Sequence, residues 1–405
     1  MWSAAHFAAA PRWRPADLDA FSQNPADYAG AAPAPLAVAA LPQTYRAQFF
    51  APWGAAVPPD APDYSGLAAM HDGRGRLYPQ QVIESIVLNM ALGSYPNAAA
   101  DAVAVRESPL RALPTDLPFY EAPRGPSFGE PFDNLQVSVL HANSPVKILH
   151  TTADGEWALA LHAGGKRLWT PRAGLALAGA SLRAQFRSAR LMAVALDLPA
   201  LGARIGGVLP IIGGRTMTAE ADSRGRAAWR RSDLPARALA AWPMVPGGAN
   251  LGRLAAAMAG RYGWGGRSGD RDCSLLLQDF FAAFGVWLPR HSAAQAAAFE
   301  AIDLASLAPA DKEARVLADG VPWRTLLYLP GHIMLYVGEK DGRALVWHNI
   351  WGVRRTDLFG RDGRIRVDGT VVSTLTLGQE LPGATGSLLS RLTKMAVIRA
   401  KPANY

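Results

Sequence analysis

The chain has 405 residues, half of them hydrophobic, with a mean hydropathy of +0.03. That length exceeds what one hydrophobic core normally organises, so we expect about two to four domains. The net charge of +8 suits an anionic polymer, but the arginines are scattered and form no basic run, which argues against nucleic-acid binding. One cysteine excludes an internal disulfide and a multi-cysteine zinc site, and no apolar stretch reaches the roughly 18 residues of a membrane helix.

Residues 1–104 mix proline-rich stretches with helical patterns and are predicted to form a helical N-terminal segment. Within them, YPQQVIESIVLNMAL (78–92) predicts an amphipathic helix. The apolar residues at helical spacing are Val82, Ile83, Ile86, Val87 and Met90. FFAPWG (49–54) is interpreted as a packing corner because two aromatic residues stand beside a proline.

Two series of short strands follow. In residues 135–177 the strands are separated by the turn signals ANSP, ADGE and AGGK, and a second series runs from about 185 to 245. Strands this short and evenly spaced predict two small antiparallel barrels, at 105–180 and 181–245. Prolines and glycines near the end of the second barrel mark a boundary, and residues 246–405 form the last domain.

The only cysteine, Cys273, stands in GDRDCSLLLQ (269–278) between a glycine-rich loop and a helical stripe. The apolar members of the stripe are Leu276, Leu277, Phe280, Phe281 and Phe284, and Gly285 ends it. A cysteine at a helix N-terminus is placed to have a lowered pKa and to react as thiolate. A structural, buried cysteine is the alternative.

Two histidines share a predicted hairpin. LLYLPGHIMLYV (326–337) and ALVWH (344–348) are each predicted to be one strand, joined by a turn that contains Asp-Gly. Pairing that is symmetric about Lys340 would place His332 directly opposite His348, with the two rings on one face of the sheet. A shift of the turn by one residue would break this pairing.

Cys273, His332 and His348 together would supply a nucleophile, a base and a residue that orients the base. Zinc bound by the same three side chains is chemically possible. The sequence contains no close pair of ligands that would chelate the metal, which disfavours zinc.

Three motifs carry a family resemblance. RYGWGGRSGDRDCSLLLQDFFAAFGVWLPRHSAAQ (261–295), PGHIMLYVG (330–338) and VWHNIWG (346–352) resemble the NlpC/P60 cysteine peptidases, which cleave peptidoglycan stem peptides. FFAPW, SYPN, LRALPTDLPFY and FDNLQVSVLH are similar to the subgroup with added N-terminal domains. Leu275 departs from the family, which usually has glycine there, and we expect only a local change in packing.

The resemblance implies an α+β multidomain fold, in which a papain-like catalytic domain follows a helical N-terminal segment and two small SH3-like β-barrels. It implies that Cys273 attacks the γ-carbonyl of D-glutamate linked to a diamino acid. His332 would hold the thiolate as an ion pair and then protonate the leaving amine, while His348 orients His332. Neither cofactor nor metal is implied.

The same resemblance implies a site for a free N-terminal L-alanine, with Asp272, Ser274 and the barrel residue Tyr120 around its amine. The alternatives are that Asp272 or Ser274 simply caps the helix and that Tyr120 is a packing aromatic. Nearby arginines would bind substrate carboxylates or lie on the solvated surface. They are Arg267, Arg271 and Arg290.

The implied partners are peptidoglycan stem peptides or muropeptides, with no nucleic acid, no integral membrane segment and a monomeric state. Residues 1–15 make a poor signal peptide. We therefore expect a cell-envelope, periplasmic protein if a leader has been removed, and a cytoplasmic one if this start is native. A noncatalytic wall-binding protein and a thiol acyltransferase are the other function classes. The intact Cys-His-His set argues against the first, and the peptidase order of the two histidines after the cysteine, together with the barrels, favours hydrolysis over the second.

Overall fold

The computed structural model describes residues 14–33, 40–64, 70–121, 129–356, 360 and 362–399, so most of residues 1–15, the stretch considered as a signal peptide, lies outside the described residues. The helices in the described part are α1 Asp17–Ala20, α2 Ala40–Phe50, α3 Gln80–Asn89, α4 Ala180–Ser188, α5 Gly248–Ala256, α6 Cys273–Ala283, α7 Ser292–Ala297, α8 Pro309–Asp319 and α9 Leu388–Arg391. None of them is long and apolar enough to cross a membrane. Helix α3 lies within the predicted helix at 78–92, so that prediction is confirmed.

The described residues form three antiparallel sheets of seven, five and six strands. The first sheet holds β1 Ala100–Ala104, β2 Ser108–Arg111, β3 Gln136–Leu140, β4 Pro145–Thr151, β5 Trp157–His162, β6 Arg167–Pro171 and β7 Leu175–Leu177. The second holds β8 Arg190–Val194, β9 Val208–Ile212, β10 Arg215–Ala221, β11 Ala227–Arg231 and β12 Leu239–Ala241. The third holds β13 Ala301–Asp303, β14 Thr325–Leu329, β15 His332–Lys340, β16 Arg343–Thr356, β17 Asp362–Thr374 and β18 Lys394–Val397.

The first sheet has the strand order β3-β2-β6-β5-β4-β1-β7. It starts earlier than residue 105, since β1 pairs with both β4 and β7. Its alternating small and branched side chains bury one core around Ala102, Val146 and Ala160. The second sheet, in the order β11-β10-β9-β8-β12, packs with Phe186 of α4 and Trp53, so the segment FFAPWG is a packing corner, as predicted.

The third sheet has the order β13-β18-β14-β15-β16-β17 and apolar residues on both faces. One face packs against α6, where Phe280 meets Trp347 at a ring-centroid distance of 5.1 Å. The other face packs against α8 through Val316. A sheet covered on both sides holds β15 and β16 rigidly beside α6, and this arrangement brings the cysteine and histidine motifs to one place.

The single strand predicted at 326–337 is wrong. Residues Pro330 and Gly331 form a tight turn between β14 and β15, in which Leu329 pairs with His332. Proline has no N–H for the ladder, and Gly331 has a φ of 87°, a conformation that favours glycine. The chain reverses there, so His332 is the first residue of its strand and not a residue in the middle of one.

Candidate active site

Helix α6 begins at Cys273 because Asp272 caps it. The Asp272 carboxylate accepts hydrogen bonds from the backbone N–H of Ser274 at 3.1 Å and of Leu275 at 2.9 Å. These N–H groups would otherwise lack partners in the first turn. The capping role that the sequence left open for Asp272 is therefore present, and it places Cys273 at the first helical position, as predicted.

The thiol of Cys273 is 7% exposed and lies against β15. Its sulfur accepts a hydrogen bond from the backbone N–H of Ile333, the residue after His332. Burial and the neighbouring Asp272 carboxylate raise the pKa of Cys273 to about 12. The predicted lowering of this pKa by the helix N-terminus is therefore wrong, because desolvation outweighs it. Burial therefore favours the thiol over the thiolate at this position.

The predicted hairpin register is also wrong, although the two histidines still lie on one face of the sheet, as predicted. Lys340 pairs with Arg343, and a bulge then shifts the register so that Tyr336 pairs with Val346. Continued toward the start of β15, this register places His332 and His348 two residues apart on one face. Diagonal neighbours of this kind remain within reach of long side chains.

The two imidazoles are joined directly, with His332 Nε2 and His348 Nδ1 2.8 Å apart. The other nitrogen of His348, Nε2, lies 3.0 Å from the Ser373 hydroxyl of β17. That hydroxyl donates to the carbonyl of Thr374 at 3.0 Å, so it accepts from His348. His348 then carries its proton on Nε2 and accepts from His332 Nε2–H, which leaves Nδ1 of His332 as the basic nitrogen.

Both histidines are kept neutral by their surroundings. Burial, and to a lesser extent the charge of Arg391, lowers the pKa of His332 to about 3. Burial, followed by His332, lowers the pKa of His348 well below its usual value. These shifts favour the neutral thiol and imidazole over the thiolate–imidazolium pair that the resemblance implied.

Asn349, which follows His348 on β16, fixes the loop that leads to the cysteine. Its Nδ2 donates to the carbonyl of Arg271 at 2.9 Å and to that of Arg261 at 3.0 Å. The side chain of Asn349 is buried together with these carbonyls. The strand that carries His348 therefore also positions the residues directly before Cys273.

Asp272 and Ser274 lie together beneath the start of α6 and share one partner. The Ser274 hydroxyl donates to the Asp272 carboxylate at 3.1 Å. Arg290 donates to both side chains and also reaches Ser138 of β3 at 3.2 Å. Burial would raise the pKa of Asp272, but Arg290 and the backbone N–H groups hold it below the usual range. The Asp272 carboxylate is therefore ionised, and Arg290 of the same chain already balances its charge.

Tyr120 stands apart from this pair in its hydrogen bonds. Its hydroxyl donates to Glu130 at 3.0 Å and also bonds Arg267. Arg267 in turn lies 3.4 Å from the Glu130 carboxylate. The bonds of the Tyr120 hydroxyl to Glu130 and Arg267 differ from those of Asp272 and Ser274, which share Arg290.

Arg271 is buried and forms ion pairs with two distant parts of the chain. It contacts Asp197, beyond β8, at 2.6 Å and Asp279 of α6 at 2.7 Å. Asp279 also meets His141, which follows β3, at 2.7 Å. Arg271 and Arg290 were candidates for substrate contact or for the solvated surface; both are buried and paired within the protein instead.

Gly265 and Gly266 lie in the loop before Cys273, and their close packing accounts for the presence of leucine at position 275. Gly265 has a φ of 63°, and a methyl group there would lie 2.5 Å from the carbonyl of Gln136 in β3. A methyl group on Gly266 would lie 2.9 Å from the Leu275 side chain. Leu275 is fully buried and fills the space beside Gly266. The departure from the family motif is thus a packing change, as expected.

A cavity of about 270 Å³ opens beside His332. Tyr262, Trp264 and Trp351 line one end of it. Tyr262 also lies near the nucleophile, since burial, then Cys273 and Asp272, raise its pKa well above the usual value. Of the other tryptophans, Trp347 is a core residue. Within the described ranges, no three His, Cys, Asp or Glu side chains form a cluster that would hold a metal ion.

Sequence reasoning missed Ser373 and the partners of the arginines. Ser373 follows His348 by 25 residues and belongs to the run TVVST, whose alternation indicates a strand but no chemistry. Only the pairing of His348 with Val371 on the neighbouring strand brings this hydroxyl to the ring.

Comparisons with known proteins identify two regions of the chain. Residues 259–342 match the NlpC/P60 family, and residues 118–164 match the SH3 domain of SH3b1 type. The structure of an NlpC/P60 endopeptidase from Photobacterium damselae subsp. piscicida superposes with a TM-score of 0.82 at 23% identity, over 93% of this chain and 97% of that chain. An NlpC/P60 family protein from Bacillus cereus ATCC 10987 aligns with a TM-score of 0.45 at 16% identity, over 73% and 99% of the respective chains. No curated protein matches the sequence.

Proposed function

We propose that this chain, in which an NlpC/P60 cell-wall endopeptidase domain is combined with an SH3 domain of the SH3b type, hydrolyses the γ-D-glutamyl–diamino acid bond of peptidoglycan stem peptides. The observation that carries the proposal is the hydrogen-bonded series His332–His348–Ser373 next to a cysteine at a helix start. This arrangement supplies a nucleophile, a base and an orienting group without any cofactor.

Attack begins from the neutral pair. As the sulfur of Cys273 bonds to the γ-carbonyl carbon of D-glutamate, its proton passes to Nδ1 of His332. The positive charge on His332 is supported through Nε2–H by His348, whose tautomer Ser373 fixes. The imidazole therefore needs no separate carboxylate to orient it.

The oxyanion that forms would meet donors at the start of α6. The side chain of Asp272 engages the N–H of Ser274 and Leu275, and its carbonyl accepts from Leu276, while the N–H of Cys273 has no acceptor among the described residues. An unpaired N–H at the positive end of a helix stabilises a developing negative charge. Burial of the site strengthens that interaction.

Collapse of the tetrahedral intermediate breaks the bond to nitrogen. His332 returns its proton to the leaving amine of the diamino acid, and a thioester links Cys273 to D-glutamate. A water molecule, deprotonated by His332, then attacks the thioester carbonyl, and the thiol leaves with that proton. Both halves of the cycle use the same nitrogen of His332.

We further propose that the enzyme favours peptides with a free N-terminal L-alanine. The ionised Asp272, with the Ser274 hydroxyl beside it and the Tyr120 hydroxyl on the barrel side, would attract the ammonium group. Arg290 weakens this attraction, so the preference is expected to be modest. A peptidoglycan substrate supports a location in the cell envelope.

The direct test is hydrolysis of L-Ala-γ-D-Glu-diaminopimelate followed by mass spectrometry. We expect L-Ala-D-Glu and diaminopimelate as products, no turnover by Cys273→Ala, and slower turnover when the alanine is N-acetylated. The folded state of Cys273→Ala is checked by circular dichroism. Turnover that persists in this variant would reject the peptidase proposal, and equal rates with the acetylated peptide would reject only the amine preference.

A further inference from the structure

Three arginines border the cavity that His332 opens into. Arg354 of β16, Arg364 of β17 and Arg391 at the end of α9 all line it. Arg391 is close enough to His332 for its charge to act on the imidazole. The cluster is thus adjacent to the catalytic base and separate from Arg271 and Arg290.

In the described part of the chain no carboxylate lies within ion-pair distance of these arginines, and the exposed Asp362, two residues before Arg364 on β17, acts on Arg364 only through its charge. Arg391 donates to the carbonyl of Pro330 at 3.3 Å, and Arg364 donates to that of Gly363 at 3.1 Å. By contrast Arg366, two residues further along β17, is paired with Asp368 at 2.7 Å. The two carbonyl contacts satisfy one N–H each and neutralise no charge.

The sheet register concentrates the positive charge. Arg354 and Arg364 are directly opposed on the antiparallel strands β16 and β17. Like charges in directly opposed positions destabilise a sheet. Arg391 adds a third charge, and it is half-buried together with Arg364. Three cations facing one cavity are unfavourable unless an anion occupies it.

The position of His332 indicates which part of the substrate enters this cavity. His332 would protonate the amine of the departing residue, so that residue must lie on the side where His332 meets open space. The cavity is that side, since Asp272 and Ser274, the proposed site of the opposite end of the peptide, lie buried beneath α6.

We propose that Arg354, Arg364 and Arg391 bind the carboxylates of the departing diamino acid, so that the enzyme selects diaminopimelate over lysine. This inference rests on the proposed function. Diaminopimelate carries a second carboxylate at the end of its side chain, whereas lysine ends in an ammonium alone. A planar guanidinium binds a carboxylate through two parallel hydrogen bonds, and the same cluster repels the lysine ammonium.

The test compares three peptides that differ only in the third residue: diaminopimelate, lysine and diaminopimelate with its side-chain carboxylate amidated. We expect the first to be cleaved with a kcat/KM roughly tenfold or more above the other two, as loss of a charge-assisted hydrogen bond implies. Arg391→Gln and Arg364→Gln should each reduce kcat/KM for the diaminopimelate peptide, and by relieving the repulsion of the lysine ammonium they should leave kcat/KM for the lysine peptide unchanged or raise it.

Arg315→Gln is the matched control, because it removes one charge from the exposed face of α8, where Arg315 pairs with Asp319. Equal kcat/KM for the three peptides with the wild-type enzyme would overturn the inference and leave the proposed function intact. Equal losses for all three peptides in the two variants would also overturn it. Failure to cleave any of the three would overturn the proposed function, and the inference with it.

Discussion

Two groups of arginines flank the catalytic residues, and they differ in the carboxylates that accompany them. Arg271 is buried between Asp197 and Asp279, and Arg290 is buried against Asp272. In the group formed by Arg354, Arg364 and Arg391, the hydrogen bonds of Arg364 and Arg391 go to backbone carbonyls, and the exposed Asp362 acts on Arg364 from beyond ion-pair distance. The first group links distant segments of the chain, and the second faces a cavity.

The difference separates charges that hold the fold from charges that await a ligand. A buried guanidinium is stable only when anions replace the water it has lost. Burial lowers the pKa of Arg271, but Asp197 and Asp279 reverse this and raise it above its usual value. Burial and the neighbouring arginines lower the pKa of Arg391, with no anion to reverse the effect. In the second group the missing anion would come from outside.

The largest effect on stability is expected from a substitution of Arg271, whose charge is balanced by Asp197 and Asp279. Arg271→Met leaves Asp197 and Asp279 without their shared partner, and removal of one partner from a buried ion pair destabilises a protein by about 3–5 kcal/mol. We expect a marked fall in the thermal unfolding midpoint. His141, which stays beside Asp279, would offset part of the loss.

Arg364→Gln is the comparison for this variant. It removes a half-buried arginine that no carboxylate contacts at ion-pair distance, and it relieves the repulsion from Arg354 on the opposed strand, which outweighs the attraction of the exposed Asp362. Its unfolding midpoint should therefore equal or exceed that of the wild type. Similar losses in both variants would contradict the distinction between the two groups.

A smaller effect is expected in the hydrogen-bonded series His332–His348–Ser373, which carries no net charge. Ser373→Ala removes the acceptor of His348 Nε2–H, so the tautomer that directs His332 toward the thiol is no longer fixed. Since one hydrogen bond is worth about 0.5–1.5 kcal/mol, kcat should fall about 3- to 10-fold, with KM little changed.

Ser373→Thr keeps the hydroxyl and should restore most of kcat. A purely structural role for Ser373 predicts instead that both variants lose activity in proportion to their loss of stability. Unfolding midpoints measured beside kcat distinguish these outcomes. The pH profile adds a second readout, since only a positioning role would shift the pH range in which Ser373→Ala is active.

Local patterns predicted the parts of the molecule that depend on near neighbours. The apolar stripe after Cys273 predicted α6, and the turn signals of residues 135–177 predicted the strands β3 to β7. The family motifs predicted that Cys273, His332 and His348 belong to one site. None of this required knowledge of which distant segments touch.

The remaining features depend on contacts between distant segments. The bulge after Tyr336 changes the strand register, and no residue type in the turn announces it. The pKa of Cys273 was expected to fall on the strength of the helix N-terminus alone, and it rises because burial, a property of the whole fold, prevails. Arg271 was placed on the surface or against substrate because its partner Asp197 belongs to another domain.

The smallest effect is expected at Tyr120, beside the paired charges of Glu130 and Arg267, which are partly exposed to solvent. Tyr120 donates to Glu130, an exposed carboxylate that Arg267 also approaches. Exposed pairs of this kind add about 0–1 kcal/mol, so Tyr120→Phe should leave the unfolding midpoint nearly unchanged. If its hydroxyl contacts the alanine amine, KM for L-Ala-γ-D-Glu-diaminopimelate should rise a few-fold, roughly the value of one hydrogen bond. The N-acetylated peptide should be unaffected by the substitution. An equal rise for both peptides would make Tyr120 a packing residue and leave Asp272 and Ser274 as the amine site.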